Sequence, residues 1–172
     1  MAKALREISA DYKVTRTLFK KGSEEWERLA ERVLVVGPMD SDNYIQKVSK
    51  LAVEFKHDEK KRFSAASKLL WFLSKWPIKI YDSRAVAGLK ALGYKHGNRN
   101  YEDFCKAWSL AFNDHRQDLA DAIVRVGENL EFALVPTVEH GKYAEQAADP
   151  AFVERSFDQY LWLIGDRKGE IS

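Results

Sequence analysis

The stretch Ser64-Ala65-Ala66-Ser67-Lys68-Leu69-Leu70-Trp71-Phe72-Leu73, followed by Trp76-Pro77 and then by Ile80-Tyr81-Asp82-Ser83-Arg84, decides how this chain is read. From Ala65 to Leu73 only Ser67 and Lys68 interrupt the apolar run. A helix that is apolar around most of its circumference is buried on most sides. The spacing predicts a central helix opening at Asp58-Glu59 and running to Lys75. Pro77 lacks an amide hydrogen and disfavours helical geometry at Trp76, so residues 76–81 read as an extended connector. Asp82 or Ser83 then caps a further helix that carries Val86, Leu89 and Leu92 and stops at Gly93.

Outward from this centre the chain remains helical in pattern. Ser23-Glu24-Glu25-Trp26 opens a helix to about Val35, where Gly37-Pro38 ends it. Asp40 or Ser41 starts the next, with Tyr44, Ile45, Val48, Leu51, Ala52 and Phe55 at three- and four-residue intervals. Two helices are expected over 101–114 and 116–134, separated by the polar run Asn113-Asp114-His115-Arg116. Residues 136–148 read as irregular or weakly helical. Asp149-Pro150 pairs a capping residue with proline at the first helical position, and Phe152, Val153, Phe157, Tyr160, Leu161 and Ile164 follow as one stripe. Val14 to Phe19 fit a short strand or a helix tail equally well. With no internal repeat and no low-complexity linker, the expectation is a single all-α domain over 1–172 with about seven helices.

Composition bounds the function. Apolar residues at 45% and charged residues at 31% place the chain among globular proteins rather than disordered or fibrous ones. Cys105 is the one cysteine, which rules out an intramolecular disulfide and any multi-cysteine metal site. His57, His96, His115 and His140 lack the spacing of a helical metal pair, so no cofactor is expected. There is neither an apolar run long enough for a membrane span nor a signal-like start, and the reading is a cytoplasmic protein without membrane association. The segment Lys56–Lys95 holds ten Lys or Arg against three acids, a formal +7 in a chain whose net charge is +2. Such clustering implies a basic face and an anionic partner such as nucleic acid.

Lys68 in the apolar helix and Asp82 beyond the Pro77 break are the candidate reactive pair. An amine held among apolar groups and other cations binds its proton less tightly, and the neutral amine is the nucleophilic form. Two blander readings stand beside this. Ser64, Lys68, Trp71 and Lys75 share one helical stripe, which could be a solvent face, and Asp82 suits an ordinary helix cap.

Ser67-Lys68-Leu69-Leu70-Trp71-Phe72-Leu73, a proline, and Ile80-Tyr81-Asp82-Ser83-Arg84-Ala85-Val86 together resemble the core of the helix-hairpin-helix DNA glycosylases, the 8-oxoguanine glycosylase branch in particular. In that family a hairpin leads into a helix with a nucleophilic lysine, and a proline-containing connector leads to a catalytic aspartate at a helix start. The resemblance implies Lys68 as the nucleophile and Asp82 as the aspartate. Arg155-Ser156-Phe157-Asp158-Gln159-Tyr160-Leu161-Trp162 is similar to the end of small bacterial proteins associated with repair or phage defence. The family's glycine-rich hairpin is missing, its place taken by Phe63-Ser64-Ala65-Ala66-Ser67, and the Lys68–Asp82 interval is shorter than the family's.

Three functions follow as expectations. In the first, a glycosylase or lyase extrudes a modified base and holds it against Trp71, Trp76, Tyr81 and Arg84, while Lys68 attacks the sugar and Asp82 stabilises the developing positive charge. In the second, a non-catalytic module contacts nucleic-acid phosphates through Lys60, Lys61, Arg62, Lys75 and Lys79. In the third, the basic segment meets an acidic protein, or the acidic C-terminal half of a second copy in a homodimer.

Overall fold

The computed structural model describes residues 25–55, 62–74, 76–96, 100–129 and 140–167. Among these residues it contains seven α-helices and no strand: α1 (Glu25–Val35), α2 (Tyr44–Glu54), α3 (Phe63–Ser74), α4 (Ser83–Ala91), α5 (Tyr101–Glu128), α6 (His140–Ala147) and α7 (Pro150–Arg167). The all-α reading therefore holds. No helix among the described residues is long and apolar enough to cross a membrane. The expectations for Val14–Phe19 and for a Ser23 cap lie outside the described residues.

The backbone forms two compact units, residues 1–82 with 97–105, and residues 83–96 with 106–172. In the first, α2 packs on α3. Val48, Leu51 and Ala52 of α2 and Ala66, Leu69 and Leu70 of α3 are buried to completion or nearly so. Asp40 organises the entry to α2: its carboxylate accepts the amides of Asp42 and Asn43 at 2.9 and 3.0 Å, and its carbonyl accepts that of Tyr44 at 3.1 Å. The central helix begins at Phe63 rather than at Asp58. The Arg62 amide is engaged outside the helix, on the Ala52 carbonyl at 3.0 Å, while the Arg62 carbonyl accepts the first helical amide, from Ala66, also at 3.0 Å.

The second unit is built on α4 against α7, with α6 also touching α7. α4 ends as its sequence dictates. Gly93 takes φ 91°, and the amides of Tyr94 and Gly93 return to the carbonyls of Leu89 and Lys90 at 2.9 and 3.2 Å. That pattern satisfies two carbonyls of the last turn, and a residue with a side chain adopts it only with strain. α4 and α7 run antiparallel with their backbones in close approach at two glycines. A β-carbon on Gly88 would lie 2.8 Å from the carbonyl carbon of Leu161, and one on Gly165 would lie 2.7 Å from that of Arg84. α7 starts where Asp149-Pro150 places it, with the Asp149 carboxylate accepting the Ala151 amide at 2.9 Å.

One expectation is corrected in α5, and one is resolved in α6. Residues 101–128 form one helix, not two. Asn113, Asp114 and Arg116 are exposed, so polarity there marks the outer side of a continuous helix, and the run has neither glycine nor proline to interrupt it. Inside the second unit, Trp108 stacks on Phe112 at 5.1 Å and meets Phe157 edge-on at 5.1 Å. Its indole N–H donates to the buried Asp158 carboxylate at 2.8 Å, and Arg155 faces the other carboxylate oxygen at 3.5 Å. Residues 140–147, within the stretch read as irregular or weakly helical, form a helix, the second of those alternatives. The Tyr143 hydroxyl donates to the Ile123 carbonyl at 2.9 Å there.

Candidate active site

The site is assembled within the first unit by the return of the connector along α3. Ser74 is the last residue of α3, Trp76-Pro77 turns the chain through a cis peptide bond, and residues 78–82 run without regular structure. A segment without regular structure leaves its amides and carbonyls in need of partners once it is buried. Two hydroxyls supply such partners here. The amide of Tyr81 donates to the Ser67 side chain at 3.1 Å, and the Tyr101 hydroxyl donates to the carbonyl of Lys79 at 2.7 Å.

Ser67 is fully buried and its own hydroxyl faces the Ser64 carbonyl at 3.4 Å, which leaves the oxygen lone pairs directed at the connector. Tyr101 is likewise fully buried, and burial pushes its phenol well above the ordinary value, so it is a permanent donor at neutral pH. The aromatic wall beside the connector is continuous. Tyr81 meets Phe104 edge-on at 5.0 Å and Phe63 at 5.7 Å, and Tyr101 stacks on Phe63 at 6.0 Å.

Tyr81 is fixed against Ser67 of α3, and the residue after each of them also meets its counterpart. The Lys68 ammonium lies 3.7 Å from the Asp82 carboxylate, with 19% and 15% of the two side chains exposed. The two candidate residues are thus neighbours, and both are largely shielded from water. The pair is not part of a wide solvent face: on the same stripe Ser64 and Trp71 are half-buried.

The remaining site expectations distribute differently. Tyr81 is at the pair. Trp71 packs edge-on with Phe72 at 5.4 Å, and Trp76 is 47% exposed. Arg84 belongs to the second unit, where its guanidinium pairs with Asp166 at 2.9 Å and covers the Trp162 ring at 3.9 Å from its centroid. Lys79, expected as a phosphate contact, is only 6% exposed. Pro77, Ile78, Lys79 and Ile80 are all buried, so the connector is covered on both sides and has no outward face on which alternate residues could lie. Arg62 is half-buried, and Lys60, Lys61 and Lys75 lie outside the described residues.

Residue reasoning missed Ser67 and Tyr101. For Ser67 the signal was a hydroxyl inside an otherwise apolar helix next to the candidate lysine, a place where a buried polar group needs a partner. Among the described residues no group of three or more His, Cys, Asp or Glu is placed to hold a metal ion. Comparison of the chain with protein-family models, with curated proteins and with solved structures finds no match.

Proposed function

We propose that this protein is a DNA glycosylase-like enzyme that removes a modified or damaged base, in repair or in defence against phage, with Lys68 as nucleophile and Asp82 as its carboxylate partner. The observation that carries the reading is the meeting of an amine and a carboxylate, fourteen residues apart in sequence, at 3.7 Å and mostly out of water. An ion pair at the protein surface contributes little to stability, and a partly buried one bears a desolvation penalty. A fold that nevertheless brings these two groups together has a pair available for chemistry.

In the proposed reaction the deprotonated Lys68 nitrogen forms a bond to the sugar C1′. The glycosidic C–N bond breaks, its electron pair leaves with the base, and the base takes up a proton. Asp82 faces the positive charge that grows on the sugar in the transition state and accepts the proton the amine gives up. The bond from C1′ to the ring oxygen then breaks, the oxygen keeping the electron pair and taking the proton held by Asp82, while the nitrogen lone pair forms a protonated imine between Lys68 and the opened sugar, which can be reduced. Extruding the base costs a few kcal/mol of stacking, which an exposed aromatic such as Trp76 recovers in part.

The test is borohydride trapping on duplexes that carry a panel of base lesions and abasic sites. The wild-type protein is expected to form a covalent adduct, Lys68→Gln to form none while still binding, and Asp82→Asn to react slowly. An adduct that persists in Lys68→Gln overturns the assignment of the nucleophile.

A non-catalytic nucleic-acid module is the second reading. It is favoured by the start of α3, where Phe63–Ser67 are helical and no glycine-rich hairpin offers amides to a phosphate. It predicts binding that weakens with salt, with a log–log slope of about −0.9 per phosphate neutralised, and no adduct on any lesion. An acidic protein partner, or a homodimer, instead predicts no binding to DNA at low salt.

A further inference from the structure

The Ser67 hydroxyl accepts the Tyr81 amide at 3.1 Å, a directional tie between α3 and the connector that precedes both members of the pair by one residue. Side chains at consecutive positions on a helix diverge by about 100°, so Lys68 does not reach Asp82 merely because Ser67 reaches Tyr81. What the tie fixes is how far the connector has slid along α3. A slip of one residue in an extended segment moves a side chain by about 3.3 Å and turns it to the opposite side. Asp82 would then leave Lys68 altogether. Nothing in the ion pair itself prevents such sliding, since a lysine ammonium is an undirected point charge on a flexible stem. The Ser67 hydroxyl is directional, fully buried, and locked by its second contact to the Ser64 carbonyl at 3.4 Å.

We propose that Ser67 is the positioning residue of this site: its buried hydroxyl sets the register of the connector against α3 and so holds the Asp82 carboxylate beside the Lys68 amine. The catalytic part of this assignment rests on the glycosylase reading, whereas the geometric part does not. Ser67 touches no reacting atom and acts through the backbone amide of Tyr81. Ser67 is uncharged and fully buried, so its loss removes neither charge nor exposed surface and is expected to reduce only the rate of the step that needs the pair.

The geometric part is tested by a mutant cycle read as stability. Lys68→Met, Asp82→Asn and the double variant are measured in the wild-type background and again with Ser67→Ala. The coupling between positions 68 and 82 is expected to fall by about half or more when the hydroxyl is removed. Ser67→Thr keeps the hydroxyl and is expected to restore it, with Ser67→Cys as the smaller replacement if threonine does not fit. An equal loss of stability in all variants with unchanged coupling makes Ser67 an ordinary core residue and overturns the proposal.

The catalytic part is read by trapping. Ser67→Ala is expected to slow adduct formation by about 100-fold with DNA affinity unchanged, the scale set by misplacing a reactive group by about 1 Å. Val48→Ala, which removes fully buried atoms of α2, controls for general destabilisation and is expected to trap at the wild-type rate. Trapping as fast in Ser67→Ala as in the wild type overturns the positioning role. Absence of an adduct in the wild type itself removes the glycosylase reading, and the mutant cycle still decides the register.

Discussion

Replacing Gly88 by alanine tests the contact on which the second unit depends. The new β-carbon would lie 2.8 Å from the carbonyl carbon of Leu161, with the carbonyl oxygen nearer still, and the mirror substitution at Gly165 would lie 2.7 Å from the carbonyl carbon of Arg84. Carbon atoms pack best at about 3.5–4.0 Å, so α4 and α7 must separate by about 1 Å, and a gap of that size forfeits a quarter to a half of each dispersion contact across the interface. Neither obstacle can rotate away, because both are backbone. Ala85 and Leu89 of α4 and Phe157 and Leu161 of α7 are buried in this unit and lose contacts together. Overpacking costs about 3 kcal/mol at the upper end of its usual range, and alanine returns about 1 kcal/mol of helix propensity. The net expectation is a loss of about 2 kcal/mol. The two contacts lie one turn apart along each helix, at 84 and 88 on α4 and at 161 and 165 on α7, so separation forced by one relieves the other, and the double variant is expected to cost clearly less than the sum. Guanidinium unfolding followed by the fluorescence of buried Trp108 measures all three. Gly93→Ala, with φ 91° and no atom within 4 Å of the new carbon, isolates backbone strain alone at about 1–2 kcal/mol. A Gly88→Ala protein that is as stable as the wild type, or more stable, refutes the close approach, since propensity alone predicts a gain.

Other expectations are shorter to state. Tyr101 has its pKa raised well above 10.0, first by burial, so below about pH 10 both folded and unfolded chains keep the proton; above it the unfolded chain ionises first and stability falls with rising pH. Tyr101→Phe should flatten that alkaline slope and, by removing the donor to the Lys79 carbonyl, cost about 1–2 kcal/mol at neutral pH; an unchanged alkaline slope would assign it elsewhere. Asp158→Leu leaves the Trp108 indole N–H without the acceptor it has at 2.8 Å and should cost about 1–3 kcal/mol, with Asp158→Asn much milder. Asp149→Ala removes the carboxylate that accepts the Ala151 amide and should lower stability by about 1 kcal/mol in chemical unfolding, where Asp149→Ser should recover most of the loss.

The helical character of the chain was legible because it rests on local signals: the three- and four-residue spacing in 44–55, the Asp149-Pro150 start, and the glycine at which α4 stops. Among the described residues the number of helices matches the expected seven, while their partition does not. The polar run at 113–116 resembled a break because polarity alone does not distinguish a loop from the outer side of a helix, and only a glycine or a proline would have argued for a stop. The start of α3 was placed too early because Asp58-Glu59 resembles a first turn, whereas the Arg62 amide is committed to the carbonyl of Ala52, a partner remote in sequence. The candidacy of Lys68 and Asp82 was readable from an amine in an apolar helix and a carboxylate beyond the Pro77 break, but their meeting depends on the turn at Trp76-Pro77, which an extended connector does not imply. For Ser67 the sequence signalled only that a buried hydroxyl needs a partner; which partner was not readable, since a backbone amide carries no side-chain identity for a pattern to detect. Lys79 was misplaced for a related reason: Ile78-Lys79-Ile80 alternates like a half-exposed strand, but the connector is covered on both sides.

The pinning of the connector by two hydroxyls also bears on how the molecule exchanges hydrogen with solvent. Amides outside helices normally exchange within the time of sample handling, because no ladder protects them. The Tyr81 amide, bonded to a fully buried oxygen, can exchange only when α3 and the connector part. It should therefore persist as a slow deuterium label within an irregular stretch, exchanging in step with the amides of α3. A resonance of that kind reports the opening of the Lys68–Asp82 locus without touching either residue.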